Sequence, residues 1–536
     1  MKKTIISIAL LCFSLASFAQ DAFDFDVQLS PVAIPNLPGL HSYAFAQHNG
    51  QWLIIGGRKD GVHARQPFAS FAAASNNTDL YVIDPTQATF WRASVSTLPE
   101  GLREQLQATN INFYQDADTL YLIGGYAFSA SANTHKTFTG LISVQVSALM
   151  EAVKTQANLQ PYFKQINNDV FAVTGGQLGK IGHTYYLVGG QRFDGRYNPM
   201  GPDHGPGFSQ QYTNQIRKFR LHNDGTQLSF SQYEAITDPV HLRRRDYNLL
   251  PQIFPDGQHG YTISSGVFQL QADLPFLYPV DITESGYTPV TGFNQYLSNY
   301  HSARAALYDS TANRMHALFF GGISRYYYQN DQLIEDDQVP FVRTISLLSR
   351  SADGTLAEYK LPVEMPGLKG AGAEFILNHT LPHYESEIVQ LSAIAADTIL
   401  IGHIYGGILS PALNPFSSNQ TGITSADASV YSVRLIRKNS TAVQPLKGRH
   451  SFDFEVFPNP AQENITVRYE LPYAGKVNYF LYTMDGKILQ RGEWDRQTSG
   501  RNEQSLFVHR SLSAQPLLLA LAFDDQFYAV KKIVRE

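Results

Sequence analysis

Cysteine is almost absent from this chain: Cys12 is the only one among 536 residues, and it lies in an apolar run over residues 5–18. Two lysines precede that run, and Ser17-Phe18-Ala19 has the small residues of a signal-peptidase site. We therefore expect a signal peptide at residues 1–19 and an exported mature protein. Without Cys12 the mature form has no disulfide, no cysteine-ligated metal and no thiol nucleophile.

Charge is also scarce, since only 16% of the residues are charged and the formal net charge is -5. This balance does not indicate a nucleic-acid-binding protein or a basic membrane-surface protein. No segment after the N-terminal run reaches the roughly 18 apolar residues that a membrane-spanning helix needs. We expect no nucleic-acid partner and no transmembrane span. With 43% hydrophobic residues, the chain can still bury a large core.

A repeated block that ends in two glycines is the most abundant pattern in the sequence. Six copies of about twenty residues align without a gap, and the fourth has Ser265 in place of its first glycine. The six block ends are Gly56-Gly57, Gly124-Gly125, Gly189-Gly190, Ser265-Gly266, Gly321-Gly322 and Gly406-Gly407. A constant block with variable spacing indicates a repeat architecture with loops of different length.

Each block is predicted to be a β-hairpin. Its two apolar strands flank a short polar turn, such as His48-Asn49-Gly50 or Pro255-Asp256-Gly257, and Asn-Gly and Asp-Gly are typical of hairpin turns with positive φ. A third strand and a fourth strand follow, most clearly at residues 79–85 and 90–95. Equivalent third strands are predicted at residues 141–146, 215–221, 278–282, 342–348 and 429–436. Each unit is then a four-stranded antiparallel sheet whose faces are buried by its neighbours.

The two ends of this repeated region complement each other. The sixth unit stops after its third strand, near Arg437, whereas the chain begins with an apolar strand at residues 25–32 followed by Leu37-Pro38. The fourth strand of the first unit is likewise followed by Leu98-Pro99. We hypothesise that the N-terminal strand completes the last unit, which closes the ring and removes its free edges.

The first unit resembles the kelch repeat. Gly56-Gly57 is followed by Tyr81 and then by Trp91, and the kelch signature is a double glycine followed by a tyrosine and a tryptophan. The other units keep mainly the glycines. The resemblance implies an all-β fold, with a six-bladed kelch-like β-propeller over residues 20–437. Galactose oxidase shares this architecture, but its copper chemistry needs a cysteine that the mature chain does not have.

Residues 454–536 have a different pattern. Phe457-Pro458-Asn459-Pro460 is followed by alternating apolar strands, an Asp485-Gly486 turn and a last strand that contains Lys531-Lys532. This pattern predicts a small immunoglobulin-like β-sandwich. It closely resembles the type A C-terminal sorting domain of the type IX (Por) secretion system, and an ordinary immunoglobulin-like accessory module is the alternative.

The resemblance to a sorting domain implies where the protein works and one of its partners. The type IX secretion machinery would recognise the sorting domain, and the product would be secreted or attached to the outer-membrane surface. Residues 438–453 would form the polar linker at which the sorting domain is cleaved.

Candidate binding residues lie on one face of the predicted ring. The loop after the second strand and the loop into the next unit emerge on that face, and the long insertions are expected there, at residues 58–78, 191–214, 323–341 and 367–387. Loops on a rigid scaffold are common binding sites. The ligand-face candidates are His41, His63, Arg65, Arg103, Arg192, Asp194, Arg196, His204, Arg244, His301, Arg325 and Tyr326.

Arginine and aromatic side chains together suit carbohydrate or carboxylate ligands. We therefore favour a protein that binds a glycan, peptide or surface partner without catalysis. Asp203-His204 has no spaced third ligand, and Gly-x-Ser-x-Gly does not occur, so we predict no metal, no cofactor and no catalytic residue.

A sugar-active enzyme that resembles the kelch sialic-acid epimerases is the alternative. It would use arginine, histidine and an acid such as Glu104 or Asp246. A cluster of acid, histidine and arginine in a closed pocket would favour the enzyme, whereas a broad rim of aromatic residues and arginines would favour binding.

Overall fold

The computed structural model describes residues 23–66, 69–197, 208–330, 332–438, 453–461, 463–471, 474–483, 488–508, 516–523 and 527–534. Two compact units are present, Met1–Lys438 and Asn439–Glu536. The expected signal peptide, Asp203-His204, Gly486 and nearly all of the expected linker lie outside the described residues.

Helix is rare in the described part of the chain. The two α-helices are α1 (Glu100–Gln105) and α2 (Val146–Thr155). Short 3-10 turns occur at Ala73–Ser75, Val95–Thr97, Gln160–Tyr162, Asp169–Phe171, Leu391–Ala393 and Thr421–Ile423. No helix among the described residues has the length and apolar character needed to cross a membrane.

The described residues of the first unit form six sheets of four or five strands, here called sheets 1 to 6 in chain order, and several smaller sheets of two or three strands. The chain enters through β1 (Phe25–Val32), which belongs to sheet 6. Sheet 1 consists of β2 (Ala44–His48), β3 (Gln51–Ile55), β4 (Asp79–Asp84) and β5 (Thr89–Ser94). Sheet 2 consists of β6 (Asn112–Asp116) and β7 (Thr119–Ile123), then, after a separate hairpin of β8 (Tyr126–Ser129) and β9 (Thr134–Thr137), of β10 (Gly140–Gln145) and β11 (Phe163–Asn167).

Sheets 3 and 4 repeat this plan. Sheet 3 consists of β12 (Gln177–Ile181) and β13 (Thr184–Val188), then, after a hairpin of β14 (Gln191–Gly195) and β15 (Phe208–Tyr212), of β16 (Gln215–Asn223) and β17 (Leu228–Thr237). Sheet 4 consists of β18 (Asn248–Ile253), β19 (His259–Ser264), β20 (Val280–Thr283) and β21 (Gly286–Pro289).

Sheet 5 also has a hairpin inserted after its second strand. It consists of β22 (Ala303–Asp309) and β23 (Arg314–Ile323), then, after β24 (Tyr326–Gln329) and β25 (Gln332–Glu335), of β26 (Phe341–Arg350) and β27 (Leu356–Glu364). The remaining strands are β28 (Leu368–Ala371), β29 (Glu374–Leu377), β30 (Ile388–Gln390), β31 (Thr398–Tyr405), β32 (Ile408–Ser410), β33 (Ser425–Ala426) and β34 (Val430–Arg437).

Sheet 6 is built from both ends of the unit. Its strand order is β29, β31, β34 and β1, and β1 pairs with β34 from Phe25 opposite Arg437 to Val32 opposite Val430. The hypothesis that the N-terminal strand completes the last sheet is therefore confirmed. The predicted third strands also fall on β4, β10, β16, β20, β26 and β34.

The start of sheet 6 differs from the prediction. Residues 367–387 were expected to be one long insertion before the sixth unit, but they contain β28 and also β29, the first strand of sheet 6. The apolar pair Ile388-Val389, with which a block of twenty residues ending at Gly407 would begin, belongs to β30 and pairs in parallel with β22 of sheet 5. The sixth repeat therefore has a long connection between its first and second strands, where the others have a short turn.

Neighbouring sheets enclose separate apolar clusters, and sheets 6 and 1 do so as well. Tyr43, Trp52 and Ile54 of the sheet 1 region pack with Tyr405 and Val430 of sheet 6. Comparable clusters join sheets 1 and 2, 2 and 3, 3 and 4, 4 and 5, and 5 and 6. The unit is all-β and β-propeller-like, since every sheet buries both faces against neighbours.

The glycine pairs lie where one sheet meets the next. Gly125 donates its N–H to the carbonyl of Val173, in the segment that leads into sheet 3, at 2.9 Å. A Cβ atom on Gly124 would lie 1.9 Å from the same carbonyl oxygen, and the φ of Gly124 is 68°. The repeated glycines therefore bring the end of one second strand against the backbone of the next repeat.

The described residues of the second unit form seven strands in two sheets. They are β35 (Phe454–Phe457), β36 (Asn464–Leu471), β37 (Gly475–Thr483), β38 (Ile488–Gln497), β39 (Gly500–Phe507), β40 (Leu517–Phe523) and β41 (Phe527–Ile533). One sheet has the order β35, β36, β39 and the other β38, β37, β40, β41. Both contribute to one apolar core, which includes Val467 and Leu519. This is the packing of a small β-sandwich.

Candidate functional site

A closed circle of backbone hydrogen bonds joins the six sheets. Its six residues each lie two positions before the first strand of a sheet, and each donates its N–H to the carbonyl of the previous member. We call them the ring residues. The bonds are Ser42 to Gly372 at 2.8 Å, Asn110 to Ser42 at 3.0 Å, Gly175 to Asn110 at 3.4 Å, Asp246 to Gly175 at 2.8 Å, His301 to Asp246 at 2.9 Å and Gly372 to His301 at 3.0 Å.

Two cavities lie on opposite sides of this ring. The loop-face cavity, of about 220 Å³, is lined by the ring residues and by the loops that follow the second strands. The channel cavity, of about 160 Å³, is lined by ring residues and by the first strands of all six sheets. The ring therefore divides the central space into an outer chamber and an inner chamber.

The segment that leads into sheet 4 contributes two charged side chains, Arg245 and Asp246, to the wall of the loop-face cavity. The guanidinium of Arg245 contacts the carboxylate of Asp246, and its Nε donates to the hydroxyl of Tyr212 at 3.1 Å. Nη2 of Arg245 makes no hydrogen bond within the described residues. The N–H groups of Arg245 Nη2 are therefore available to a ligand.

A second charged group lies beside the ring at sheet 1. Arg58 is 1% exposed and donates from Nε and Nη2 to Asp60, at 2.8 and 2.5 Å. His41 Nε2 lies 3.7 Å from Asp60 Oδ1. Burial opposes the charged form of Asp60, but the contacts with His41 and Arg58 outweigh it and hold the pKa of this carboxyl well below its usual range. Burial lowers the pKa of His41, so its imidazole is neutral near pH 7.

Aromatic side chains form part of the loop-face wall. The ring of His63 stacks on Phe71 at a centroid distance of 4.8 Å and meets the edge of Tyr197 at 4.9 Å. Burial lowers the pKa of His63 to about 4. The guanidinium carbon of Arg58 lies 5.2 Å from the centroid of Phe71. This wall presents flat apolar surfaces next to hydrogen-bonding groups, as carbohydrate ligands require.

The channel cavity has its own charged groups. Glu374, at the start of β29, is 2% exposed, and its Oε1 lies 3.1 Å from Nε2 of the ring residue His301. Arg304 on β22 donates to the carbonyl of Leu249 at 3.0 and 2.8 Å and to Oε1 of Gln177 at 3.1 Å. Burial lowers the pKa of Arg304, and the nearby charge of Glu374 opposes that shift.

The structure brings some of the sequence candidates together. His41, His63 and His301 line the loop-face cavity, whereas Arg65 is not among its lining residues and donates from Nη1 to the carbonyl of Phe416 at 3.2 Å. Arg196 is within electrostatic range of Tyr126, which lines this cavity.

Other candidates are engaged elsewhere. Arg192 pairs with Asp194 at 2.7 Å within the β14–β15 hairpin. Arg325 pairs with Glu335 and Asp337 at 2.6 and 2.7 Å, beside the ring of Tyr326. None of these four candidates lines either cavity within the described chain.

Three further candidates, Arg244, Arg103 and Glu104, form hydrogen bonds or ion pairs within the protein. A fourth lies outside the described residues. Arg244 is fully buried and its Nη1 donates to the carbonyls of Ser265 and Tyr278, both at 2.7 Å; burial lowers its pKa to about 10. Arg103, on α1, pairs with Glu100 at 3.8 Å. Glu104 accepts hydrogen bonds from two serines away from both cavities, and His204 is the candidate that is not described.

Sequence reasoning missed Arg58, Asp60, Arg304 and Glu374. An arginine inside the otherwise apolar first strand of sheet 5 was an available signal for Arg304. Glu374 was not predicted, because residues 367–387 were expected to be a loop and not to contain the first strand of sheet 6, which begins at Glu374. Among the described residues, no group of three or more His, Cys, Asp or Glu side chains could hold a metal ion.

No family model matches the chain, and no curated protein matches it either. Two solved structures have some likeness to the chain. One is "Structure of YjhT", with 12% identity, 74% coverage of this chain, 95% coverage of that chain and a TM-score of 0.42. The second is a glycoside hydrolase family 43 arabinoxylan arabinofuranohydrolase from Bacillus subtilis in complex with cellotetraose. The second has 11% identity, 94% and 99% coverage and a TM-score of 0.28. At these identities and TM-scores, neither likeness carries an argument about this chain.

Proposed function

We propose that the six sheets are the blades of a closed six-bladed kelch-like propeller that binds an acidic carbohydrate in its loop-face cavity. The circle of hydrogen bonds through the ring residues and the pairing of β1 with β34 support the closed propeller. One arrangement carries the ligand proposal: Arg245, whose Nη2 makes no hydrogen bond within the described residues, lines the same cavity as the stacked rings of His63 and Phe71.

The ligand class follows from these groups. The free Nη2 of Arg245 can donate a charge-assisted hydrogen bond to a carboxylate, and aromatic rings pack against the C–H face of a sugar. Asp246 and the neutral imidazole of His41 can hydrogen-bond the sugar hydroxyls from the ring side. A sugar acid satisfies all three kinds of group at once, whereas a simple carboxylate leaves the aromatic wall uncovered.

Calorimetric titration of the full chain with N-acetylneuraminate, glucuronate and neutral glucose tests this proposal. We expect an acidic sugar to bind more tightly than glucose, and Arg245→Gln to weaken its binding about tenfold or more because a charge-assisted hydrogen bond is lost. Arg103→Gln, which removes a partly exposed arginine from α1, is the matched control and should leave the affinity unchanged. Equal loss in both variants, or no binding of either acidic sugar, contradicts the proposal.

A second candidate function is proton transfer on the bound sugar, as in the kelch epimerases. The observation that favours it is that Asp246 and His301 both line the loop-face cavity, where Glu374 contacts His301 from the channel side, since an acid and a histidine can share the acid and base roles. Incubating candidate sugar acids with the protein in D₂O, followed by proton NMR, tests for exchange of a carbon-bound hydrogen. Exchange that Glu374→Gln abolishes supports catalysis, and no exchange with any tested sugar favours simple binding.

The second unit is the sorting domain of a type IX secretion substrate, which the signal peptide at residues 1–19 would deliver to the periplasm. One contact supports this part of the proposal: Asn459, between Pro458 and Pro460, accepts a hydrogen bond from the N–H of Val534 at 2.8 Å and donates to the carbonyl of Lys532 at 3.1 Å. The Pro458-Asn459-Pro460 segment and the end of the last strand, which both belong to the proposed sorting signal, are thus hydrogen-bonded to each other. Fractionation of a type IX-competent host that produces the chain with and without residues 454–536 is the test, and surface delivery of the shortened chain contradicts it.

A further inference from the structure

The channel cavity contains polar groups without hydrogen-bond partners. Asn112 is 1% exposed; its Nδ2 donates to the carbonyls of Ile123 and Val173, and its Oδ1 accepts no hydrogen bond within the described residues. Ser386 and Arg304 line the same cavity. Oγ of Ser386 and Nη1 of Arg304 likewise have no hydrogen-bond partner among the described residues. Buried polar groups are normally satisfied, because an unmade hydrogen bond is costly. These groups therefore point to a molecule that completes their hydrogen bonds.

One segment covers the end of the channel cavity that lies away from the ring. Residues 378–387, here called the covering segment, connect β29 to β30, whereas the connection between the first and second strands of sheet 1 is two residues long. His379 Nε2 lies 2.9 Å from Nε2 of Gln47 in sheet 1. The ring of Tyr384 lies 6.4 Å from that of Tyr308 in sheet 5. The covering segment thus reaches the sheets on both sides of sheet 6 and contributes to the cavity wall.

We propose that the channel cavity is a second binding site, separate from the loop-face cavity, for a neutral polyhydroxylated ring of monosaccharide size. A hydroxyl group both donates and accepts, so one such molecule can donate to Asn112 Oδ1 and accept from Arg304 Nη1. A carboxylate ligand would satisfy the arginine but not the amide oxygen. An ammonium ligand would satisfy the oxygen but not the arginine.

The charge of the cavity wall also favours a neutral ligand. Arg304 and Glu374 are opposite charges in the same wall, and Glu387 is engaged by Nε2 of His379 at 2.8 Å. Asp246, the third acid of the wall, contacts the guanidinium of Arg245, so each acid of the wall already has a charged partner or a histidine partner within the protein. The remaining wall includes the rings of Phe45 and Phe113, whose centroids are 5.2 Å apart, and these give apolar surface for the C–H groups of a sugar ring.

The test uses the full chain and three probes, D-glucose, D-galactose and D-xylose, titrated at millimolar concentration with saturation-transfer NMR as the readout. Ser386→Ala is the principal variant, because its Oγ has no partner in the protein and the free chain should unfold at an unchanged temperature. Arg304→Met is the second variant. Ser96→Ala, at an exposed serine beyond both cavities, is the matched control.

We expect at least one probe to bind, with an affinity that Ser386→Ala and Arg304→Met each reduce about fivefold or more and that Ser96→Ala does not change. Arg245→Gln should leave this binding unchanged, which separates the channel cavity from the loop-face cavity. The proposal is overturned if no probe binds, or if Ser386→Ala leaves the affinity of a bound probe unchanged. Loss of affinity in Arg245→Gln with none in Ser386→Ala overturns it as well, since the sugar then occupies the loop-face cavity.

Discussion

Oε1 of Glu374 lies 3.1 Å from Nε2 of His301, and this contact joins the start of sheet 6 to the segment that leads into sheet 5. The Glu374 side chain is 3% exposed and the His301 side chain 18%. The carboxylate is therefore withdrawn from water and depends on the imidazole for a polar partner.

His301→Ala should destabilise the first unit by about 3 kcal/mol, because a buried carboxylate loses its partner. Adding Glu374→Gln to that variant should recover part of the loss, since a neutral amide is less costly to bury than a charge. Urea unfolding of the wild type, the two single variants and the double variant measures this coupling. Equal stability of His301→Ala and the double variant contradicts the expected charge effect.

The stability of the first unit should fall as the pH drops from about 6.5 to about 4. Burial lowers the pKa of His316 to about 4, whereas an unfolded histidine titrates near pH 6.5. In that window the unfolded chain binds a proton that the folded chain does not, so acid favours unfolding, by about 2 to 3 kcal/mol for this residue. His63 and His403 are shifted in the same direction, also to about 4.

Thermal unfolding at pH 7, 5.5 and 4.5 measures this dependence. His316→Gln keeps a polar group near Ser349, to which Nδ1 of His316 is hydrogen-bonded at 2.7 Å, but it does not titrate. The variant should show a smaller drop of the melting temperature than the wild type. An unchanged pH slope means that His316 is not the group responsible.

Gly124→Ala should be far more damaging than Gly182→Ala. Both glycines have positive φ, 68° and 58°, but a Cβ on Gly124 would lie 1.9 Å from the carbonyl oxygen of Val173, whereas one on Gly182 has nothing within 4 Å. The left-handed conformation alone costs alanine about 1 to 2 kcal/mol, and the clash should add about 1 to 3 kcal/mol. Denaturant unfolding of both variants measures the difference. Equal free energies of unfolding contradict the close approach of sheets 2 and 3.

The N-terminal strand should contribute strongly to the stability of the first unit. Phe25 is 5% exposed and packs in the cluster between sheets 5 and 6, so Phe25→Ala should cost about 3 to 5 kcal/mol. Gln28→Ala, at an exposed position of the same strand, should change stability by less than about 0.5 kcal/mol. Deletion of residues 23–33 without loss of thermal stability would show that the ring does not need this strand.

Asn459→Ala should loosen the end of the second unit by about 1 kcal/mol, because two hydrogen bonds to the terminal segment are lost at an exposed site. The most direct readout is hydrogen exchange of the Val534 amide, which should become faster. Asn464→Ala, at the exposed start of β36, is the matched control and should leave that rate unchanged. Protection of the Val534 amide in both variants argues against the contact.

The local sequence pattern predicted most strands of the first unit, because each hairpin is specified by its own turn residues and alternating apolar positions. It failed at sheet 6, where β29 is only four residues long and the apolar pair in β30 looks like a better first strand. Hydrophobicity alone does not distinguish a strand that begins a sheet from one that is added to its neighbour.

The predicted residues that line the loop-face cavity lie near the starts of first strands, as His41 and His301 do, or in the loop after β3, as His63 does. The acidic partners of His41 and His301 were not found, because the pairing of His301 with Glu374 spans two sheets and 73 positions of sequence. By contrast, Arg192 has an acidic partner two residues away, and Arg325 has one twelve residues away. Such short-range acids are a sequence signal that an arginine is already engaged.

The circle of hydrogen bonds through the ring residues is made by the main chain alone, so its closure does not depend on which side chains the six positions carry. Two of them are glycines, and Ser42, Asn110, Asp246 and His301 project from the other four. Substitution at these six positions can therefore diversify the chemistry at the axis of one unchanged scaffold, in the way that loop residues diversify antibodies. A library randomised at these positions samples new ligand specificities without rebuilding the fold. At Ser42, Asn110, Gly175, Asp246 and Gly372 the backbone has positive φ, so the library there is limited to residue types that tolerate this conformation.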